Sequence, residues 1–466
     1  MKKKLIALGL CGLLGCGCVL GAGCGGNSAS AQEIYVAAFS GAYGETYWEE
    51  IEKGFEKLYE DEGYKVRLVA DPKIEDIISP QVQGKKGPDV VYLPVGQPAA
   101  YTERLIRTRS VLKLNDLLEE NVPGEDVKLK DKFMDGMIGN SATNPYANSP
   151  DDVYMLPLFY SPLGLFYNKN KFVEYSEPYT PVVESGANKG KYMMPRTWEE
   201  FMQLGEAVKG EKSLFVYPTN GYMAEMMYAM IGSHAGANNL EKFLRYDQSV
   251  IASQEFEDVF NAVGDLGQYT ISNSWTETSG NYLRNQQLLL KGEALFMPCG
   301  TWLPTEMTAY ETEEGFEYGF TTPFVLDGED PQTACSKLEQ VYILKSSKKQ
   351  DIAKKFLAYL FSDEAAQIII NNAKGGVVPV KRGLEFAAQE GSDVSSQMLG
   401  FFNSIYETED LNNVIGVFAS SNTVNINWQT ILTGTIDDIF GGSTTVDEWI
   451  GDMYDAAAQL SANLIG

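Results

Sequence analysis

The chain has 466 residues, of which 44% are hydrophobic, 12% aromatic and 21% charged, enough for two or three domains with real cores and too apolar for a disordered chain. Its 37 basic and 63 acidic residues leave a net charge of −26, which repels phosphate backbones and argues against nucleic acid as a partner. A Ser/His/Asp triad, a histidine-rich zinc site and a histidine general base would all have to share one histidine, His234, so composition alone speaks against most hydrolytic and metal chemistry.

Met1-Lys2-Lys3-Lys4 is a positive head, followed from Leu5 to Gly23 by residues without charge. That stretch is close to the ~20 residues a bilayer crossing needs. It is rich in glycine, however, and ends in small residues, as an export signal does. Gly21-Ala22-Gly23-Cys24 resembles the lipobox of bacterial lipoproteins. The resemblance implies a signal peptide over residues 1–23, a lipidated Cys24 and a polar tether over 24–32. Two acyl chains would then anchor the protein on the outer membrane face. Leu13-Leu14-Gly15-Cys16 fits the same pattern with a shorter hydrophobic region, and an ordinary cleaved signal is the plain alternative. In the body only Cys299 and Cys335 remain, too few for a disulfide framework; a single bridge and two buried free thiols both fit the sequence.

Beyond the leader, strands and helices alternate. Ile34-Tyr35-Val36-Ala37-Ala38-Phe39 reads as a strand breaking at Ser40-Gly41. The three- and four-residue spacing of Tyr47, Trp48, Ile51, Phe55, Leu58 and Tyr59 predicts a helix. Lys65-Val66-Arg67-Leu68-Val69 and Val90-Val91-Tyr92-Leu93 read as strands, giving a βαβ rhythm whose ligands belong beyond the strand ends, at Ser40-Gly41 and Val95-Gly96-Gln97. A second α/β unit leads from 154–157 through 158–161 to a strand over 163–168, followed by a polar loop over 174–194. A helix follows, announced by Thr197 and Glu200 at capping-box spacing. Then come a strand over 214–217, a break at Asn220-Gly221 and a Met-rich helix over 222–231. Further on are a helix end, turn and strand over 288–297 that stop at Cys299-Gly300-Thr301-Trp302. Late in the chain are a strand over 340–344 and a helix with Ile352, Ala353, Phe356, Leu357, Leu360 and Phe361 on one face.

Five stretches in this order resemble the sugar-binding branch of the solute-binding lipoproteins that feed ABC importers, the branch that includes maltose-binding protein. They are Phe55-Glu56-Lys57 through Pro88-Asp89-Val90-Val91-Tyr92; Leu165-Phe166-Tyr167-Asn168-Lys169; Pro195-Arg196-Thr197-Trp198-Glu199-Glu200-Phe201; Lys291-Gly292-Glu293-Ala294 through Gly300-Thr301-Trp302; and Ala353-Lys354-Lys355-Phe356-Leu357 with Ser362-Asp363-Glu364-Ala365. The resemblance runs from about residue 33 to the C-terminus. It implies an α/β, two-lobed periplasmic-binding-protein-like fold (type II), with crossing strands joining the lobes and a ligand cleft between them. The N-terminal lobe is expected from 33–158 and 341–395, the C-terminal lobe from 159–340 and 396–466. It also implies a monomer that needs no cofactor or metal, performs no catalysis, and docks on membrane permease subunits after hinge closure.

A sugar presents an apolar face of C–H bonds and an equator of hydroxyls, so its site needs flat rings and neutral polar groups. Trp302, Trp428 and Tyr222 match stacking positions of the family, and Trp275 is a further candidate. Trp48 and Trp198, at apolar helix positions, are expected in the core. Tyr160 and Ser161 at the first crossing strand, Glu339 and Gln340 at the second, and Tyr43, Ser40, Gly41, Gln97, Asn220, Gly300 and Thr301 in the loops complete the expected set. Loops 40–44 and 94–97 carry no Lys or Arg, which argues against phosphate or carboxylate ligands. Where the family's relative has charged residues, this chain has Gly41-Ala42-Tyr43, Val95-Gly96-Gln97 and Ser161, so maltose specificity does not carry over; a neutral saccharide, several rings long, is expected. The alternatives are a receptor of the same fold for a polyamine, peptide or metal ion, and a glycoside hydrolase using two carboxylates.

Overall fold

The structure, a computed structural model of the chain, describes residues 32–41, 43–84, 86–97, 100–170, 172, 194–217, 222–271, 282–373, 376–389, 412–423 and 425–466. Cys24 and the rest of the leader, the tether up to residue 31, most of the loop expected over 174–194, Asn220 and Trp275 lie outside these residues. No helix among the described residues is long and apolar enough to cross a membrane.

The opening unit forms as its pattern predicts. Strands β1 (Glu33–Phe39) and β2 (Lys65–Asp71) pair in parallel, helix α1 (Thr46–Leu58) connects them, and β3 (Val90–Tyr92) lies in parallel on the other side of β1. Strand period two sends Val36 and Ala38 to one face, into a core shared with Tyr47, Trp48, Ile51 and Phe55 of α1, while Tyr35 and Ala37 join a second cluster on the opposite face. Leu58 departs from the predicted apolar face: it ends the helix and stands 41% exposed.

Two long antiparallel strands run through the molecule. β4 (Leu156–Asn168) begins earlier than the strand expected over 163–168, because the prolines within it are accommodated. Register slips between Pro157 and Phe159, and Pro162, which has no N–H to give, still offers its carbonyl. The middle of the chain supplies α2 (Trp198–Val208), β5 (Ser213–Phe215), α3 (Met223–His234), α4 (Tyr282–Leu290), β6 (Ala294–Gly300), α5 (Leu303–Glu306) and β7 (Tyr318–Thr321). At the start of α2 the capping box is complete: the Glu200 amide donates to the Thr197 hydroxyl at 3.2 Å and Glu200 Oε2 accepts from the Thr197 amide at 3.3 Å.

β8 (Thr333–Ile343) pairs with β4 over Leu156 to Leu163, and β9 (Asn412–Ile415) adds to its early half. Together the strands form one mixed sheet in the order β2-β1-β3-β8-β4-β6-β5, with β7 on β4 and β9 on β8. Apolar cores gather at both ends of the β4–β8 pair. One holds β1, β3, α1 and helices α6 (Gln350–Tyr359) and α7 (Asp363–Asn372); the other holds β5, β6, α2, α3 and α8 (Val446–Ser461). Just beyond α8, Ile465 crosses back into the cluster around Tyr35 and Tyr146. Trp48 and Trp198 are core residues, as expected.

The strand order decides the cysteine question. Cys299 stands opposite Gly164 and Cys335 opposite Leu163, on the two strands that flank β4. Two strand spacings of ~4.8 Å separate them, more than the ~4.4–6.8 Å between Cα atoms that a disulfide allows. Both are free and buried.

His234 closes α3, with Nδ1 2.8 Å from Asp330 and Nε2 3.4 Å from Asp258. Burial alone would lower its pKa, but the hydrogen bonds and charges of Asp330 and Asp258 together raise it. A cation at a helix C-terminus adds in the same sense. The stability from this imidazolium is therefore full below its unfolded pKa of ~6.5 and is lost as pH rises through the raised folded value. Thermal melts from pH 5.5 to 8.5 should show His234→Gln less stable than the wild type at the acid end, with the gap narrowing toward pH 8.5; a gap independent of pH would show that the charge plays no part.

Candidate functional site

The β4–β8 pair brings loops from both ends of the sheet to one place. Tyr43, in the loop after β1, is buried at 3% exposure, lays its ring on Phe159 with centroids 4.5 Å apart, and hydrogen-bonds its hydroxyl to that of Ser161. The next residue, Pro162, accepts from the Thr301 amide at 3.3 Å, which ties down the turn after β6. Two consecutive residues of one strand thus hold loops that come from opposite cores. On β8, Gln340 Oε1 accepts from the Val95 amide at 3.0 Å and its carbonyl accepts from the Leu93 amide at 3.2 Å, which fixes the loop after β3. Gly96, at φ 84°, turns that loop in the left-handed region open to glycine.

Glu339 lies between these anchors. The Tyr92 hydroxyl donates to its carboxylate, and its charge reaches Tyr43 and Tyr47. Burial pushes the Glu339 carboxyl up, partly offset by the Tyr92 hydrogen bond and by Lys337. In the same region the Tyr47 hydroxyl, the Trp48 indole N–H and Gln340 Nε2 are buried without a hydrogen-bond partner among the described residues.

Across β4, Trp302 is 9% exposed and folds over Gly300. A Cβ on Gly300 would stand 2.1 Å from the indole, so this approach requires glycine. Tyr222 caps α3 at φ 66° and meets Trp302 edge-on, with centroids 5.3 Å apart. Ser40, Gly41 and Gln97 are partly exposed, whereas Gly300, Thr301, Ser161 and Gln340 are buried.

Three expected contacts are corrected by this geometry. Trp428 is 6% exposed and enclosed by Phe243, Tyr246 and Phe418 at 5.2–5.7 Å; Ile426 packs inward beside it, so this segment turns its apolar side chains into the core. Tyr160 is fully buried in the first core, its amide bonded to the Val377 carbonyl, because strand alternation turns it away from Ser161. Tyr43 is a brace for Ser161, its ring taken up by Phe159. Sequence reasoning missed Tyr92, Gln286 and Glu306. The signals were a lone phenol at the end of an aliphatic strand and an acid four residues after Trp302.

The description bacterial extracellular solute-binding protein belongs to the family whose model matches residues 53–390. The chain belongs to that family. The Multiple sugar-binding protein of Streptococcus mutans serotype c (strain ATCC 700610 / UA159) is 28% identical to this solute-binding protein over 246 residues, 49% of the chain and only 52% of that relative. Among solved structures, a family 1 extracellular solute-binding protein from Bifidobacterium longum subsp. infantis is similar at a TM-score of 0.65 and 17% identity, over 92% of this chain and 99% of that one. Apo RafE from Streptococcus pneumoniae gives 0.63 and 18%, over 92% and 97%. RafE in complex with raffinose gives 0.58 and 18%, over 92% and 99%. These likenesses establish for this solute-binding protein the fold its segment order suggested.

Glu339 makes a pH-dependent contribution of known sign. A carboxyl raised by folding stabilises fully below its unfolded value of ~4.3, and that stability is lost as pH rises through the folded value. Glu339→Gln keeps an acceptor for Tyr92 and should therefore melt higher than the wild type at pH 7, with the gain disappearing toward pH 4. A variant that melts lower at pH 7 would contradict this.

Proposed function

We propose that this chain is a lipid-anchored receptor on the outer face of the cell membrane, held through Cys24, that captures a neutral oligosaccharide and delivers it to the permease of an ABC importer without chemical change. Its lobes are taken as 33–158 with 341–395 and 159–340 with 396–466, meeting at the β4–β8 pair, with Ser161, Glu339 and Gln340 on the cleft floor. Ligand contacts on one side come from Ser40, Gly41 and Gln97, and on the other from Trp302, Tyr222, Gly300 and Thr301. Asn220 and Trp275 are further ligand-contact candidates, from the sequence alone.

The anchoring of Tyr43 to Ser161 and of Thr301 to Pro162 carries the proposal, because it sets a first-lobe loop and the Trp302 turn on adjacent residues. The surrounding chemistry suits carbohydrate. Trp302 and Tyr222 supply apolar rings, and the loops that bear Ser40, Gly41 and Gln97 hold no Lys or Arg. Lys337, two residues from Glu339, acts against the rise that burial gives that acid's pKa. The names of the relatives point the same way: one is a multiple sugar-binding protein and another has been solved with raffinose. Closure would follow from contacts on both walls that exist together only in the closed state.

Calorimetric titration with raffinose, maltotriose, galactose and spermidine tests the reading. Binding of at least one saccharide is expected; binding of spermidine alone would overturn the ligand class, and turnover of any glycoside would reopen catalysis. Trp302→Ala should weaken saccharide binding by about tenfold or more while the melting curve stays close to wild type, as expected for loss of a stacked ring. Gly300→Ala, which forces the indole aside, should weaken it in the same direction.

A further inference from the structure

We propose that Glu306 is a ligand-binding, specificity-determining carboxylate of this site, accepting hydrogen bonds from saccharide hydroxyls while Trp302 covers the C–H face of the ring. The inference rests on the saccharide reading above. Helix α5 places the two side chains together: the Glu306 amide donates to the Trp302 carbonyl at 3.0 Å, and residues four apart share a helical face. Tyr222 stands against the Trp302 ring, and Glu306 is among the charges that bear on its hydroxyl.

The carboxylate is half-buried and held in place. Gln286, fully buried on α4, donates Nε2 to Glu306 Oε2 at 2.8 Å. Gln286 Oε1, and Thr301 Oγ1 and Thr305 Oγ1 in the segment that carries Trp302 and Glu306, are buried without a hydrogen-bond partner among the described residues. Buried polar atoms are nearly always paired, and these three, one on the glutamine that holds Glu306 and two in the segment that carries Trp302, have no such pairing among the described residues, which favours a ligand that can supply it. Hydroxyl groups suit it, since each can donate to an acceptor and accept in return. Bonds to a carboxylate are charge-assisted, and a site built for hydroxyls rejects analogues that lack them.

The test begins with the saccharide from the panel of raffinose, maltotriose and galactose that the wild type binds. Glu306→Gln removes the charge and keeps an acceptor for Gln286. The expected result is a Kd raised about tenfold or more, a melting curve near wild type, and weaker discrimination against deoxy analogues of the same sugar. Glu306→Asp, shorter by one methylene, should lose affinity in the same direction and serves if Glu306→Gln does not fold. Wild-type affinity in either folded variant, with binding lost in Trp302→Ala, would overturn the role of Glu306 and leave the saccharide reading standing. A wild type that binds none of the three sugars would overturn that reading, and this inference with it.

Discussion

A single strand, β4, carries the constraint on which the site depends. At Ser161 it bonds to the loop after β1, and at Pro162 it accepts from the turn after β6. The turn 300–302 is tied to β4 by a backbone hydrogen bond at 3.3 Å, with Trp302 packed on Gly300, and Tyr43 owes its position to Phe159 as much as to Ser161. A change that shifted β4 by one residue against β8 would turn Ser161 to the other face and release Tyr43. The register with β8, bulge included, is therefore part of the site.

Glu339, Gln340, Gln286 and the threonines beside Trp302 all sit where burial is costly. An unpaired buried polar atom forfeits roughly 1–3 kcal/mol. Both cores are well supplied with aliphatic and aromatic side chains and can bear that cost. Local choices that oppose stability collect where something other than stability is selected. Here they collect along β8 and around the turn after β6, the two places where the sheet changes from one core to the other.

Much of the fold was legible because it follows local rules. The helical spacing in α1, the capping box at Thr197 and the parallel βαβ opening all formed as read, and the segment order carried the family. What failed depended on distant packing. The strand expected over 163–168 begins earlier, at Leu156, because β4 absorbs Pro157 with a register shift and Pro162 by presenting only its carbonyl. Trp428 matched a stacking position by order along the chain, but Phe243, Tyr246 and Phe418 converge on it from elsewhere, and no linear pattern reveals that enclosure. Tyr160 and Ser161 are neighbours whose roles differ only through strand parity. Gln286 and Glu306 were invisible for a related reason: their pairing joins two helices across a strand.

On the proposed reading, the two walls are chemically unequal, and that inequality constrains the ligand. The wall at 300–306 offers a ring and buried polar atoms, whereas the opposite one offers Ser40, Gly41 and Gln97, small or neutral groups rich in backbone. A ligand that touched only the aromatic wall would have equal affinity for open and closed states and would shift nothing, however tightly it bound. Closure needs atoms that reach across from a ring stacked on Trp302 to the loops after β1 and β3. A polyhydroxylated ligand supplies them, since its equatorial hydroxyls leave the stacked face and point outward to both sides. An apolar ligand of the same size would satisfy the tryptophan and leave the other wall with nothing to hold.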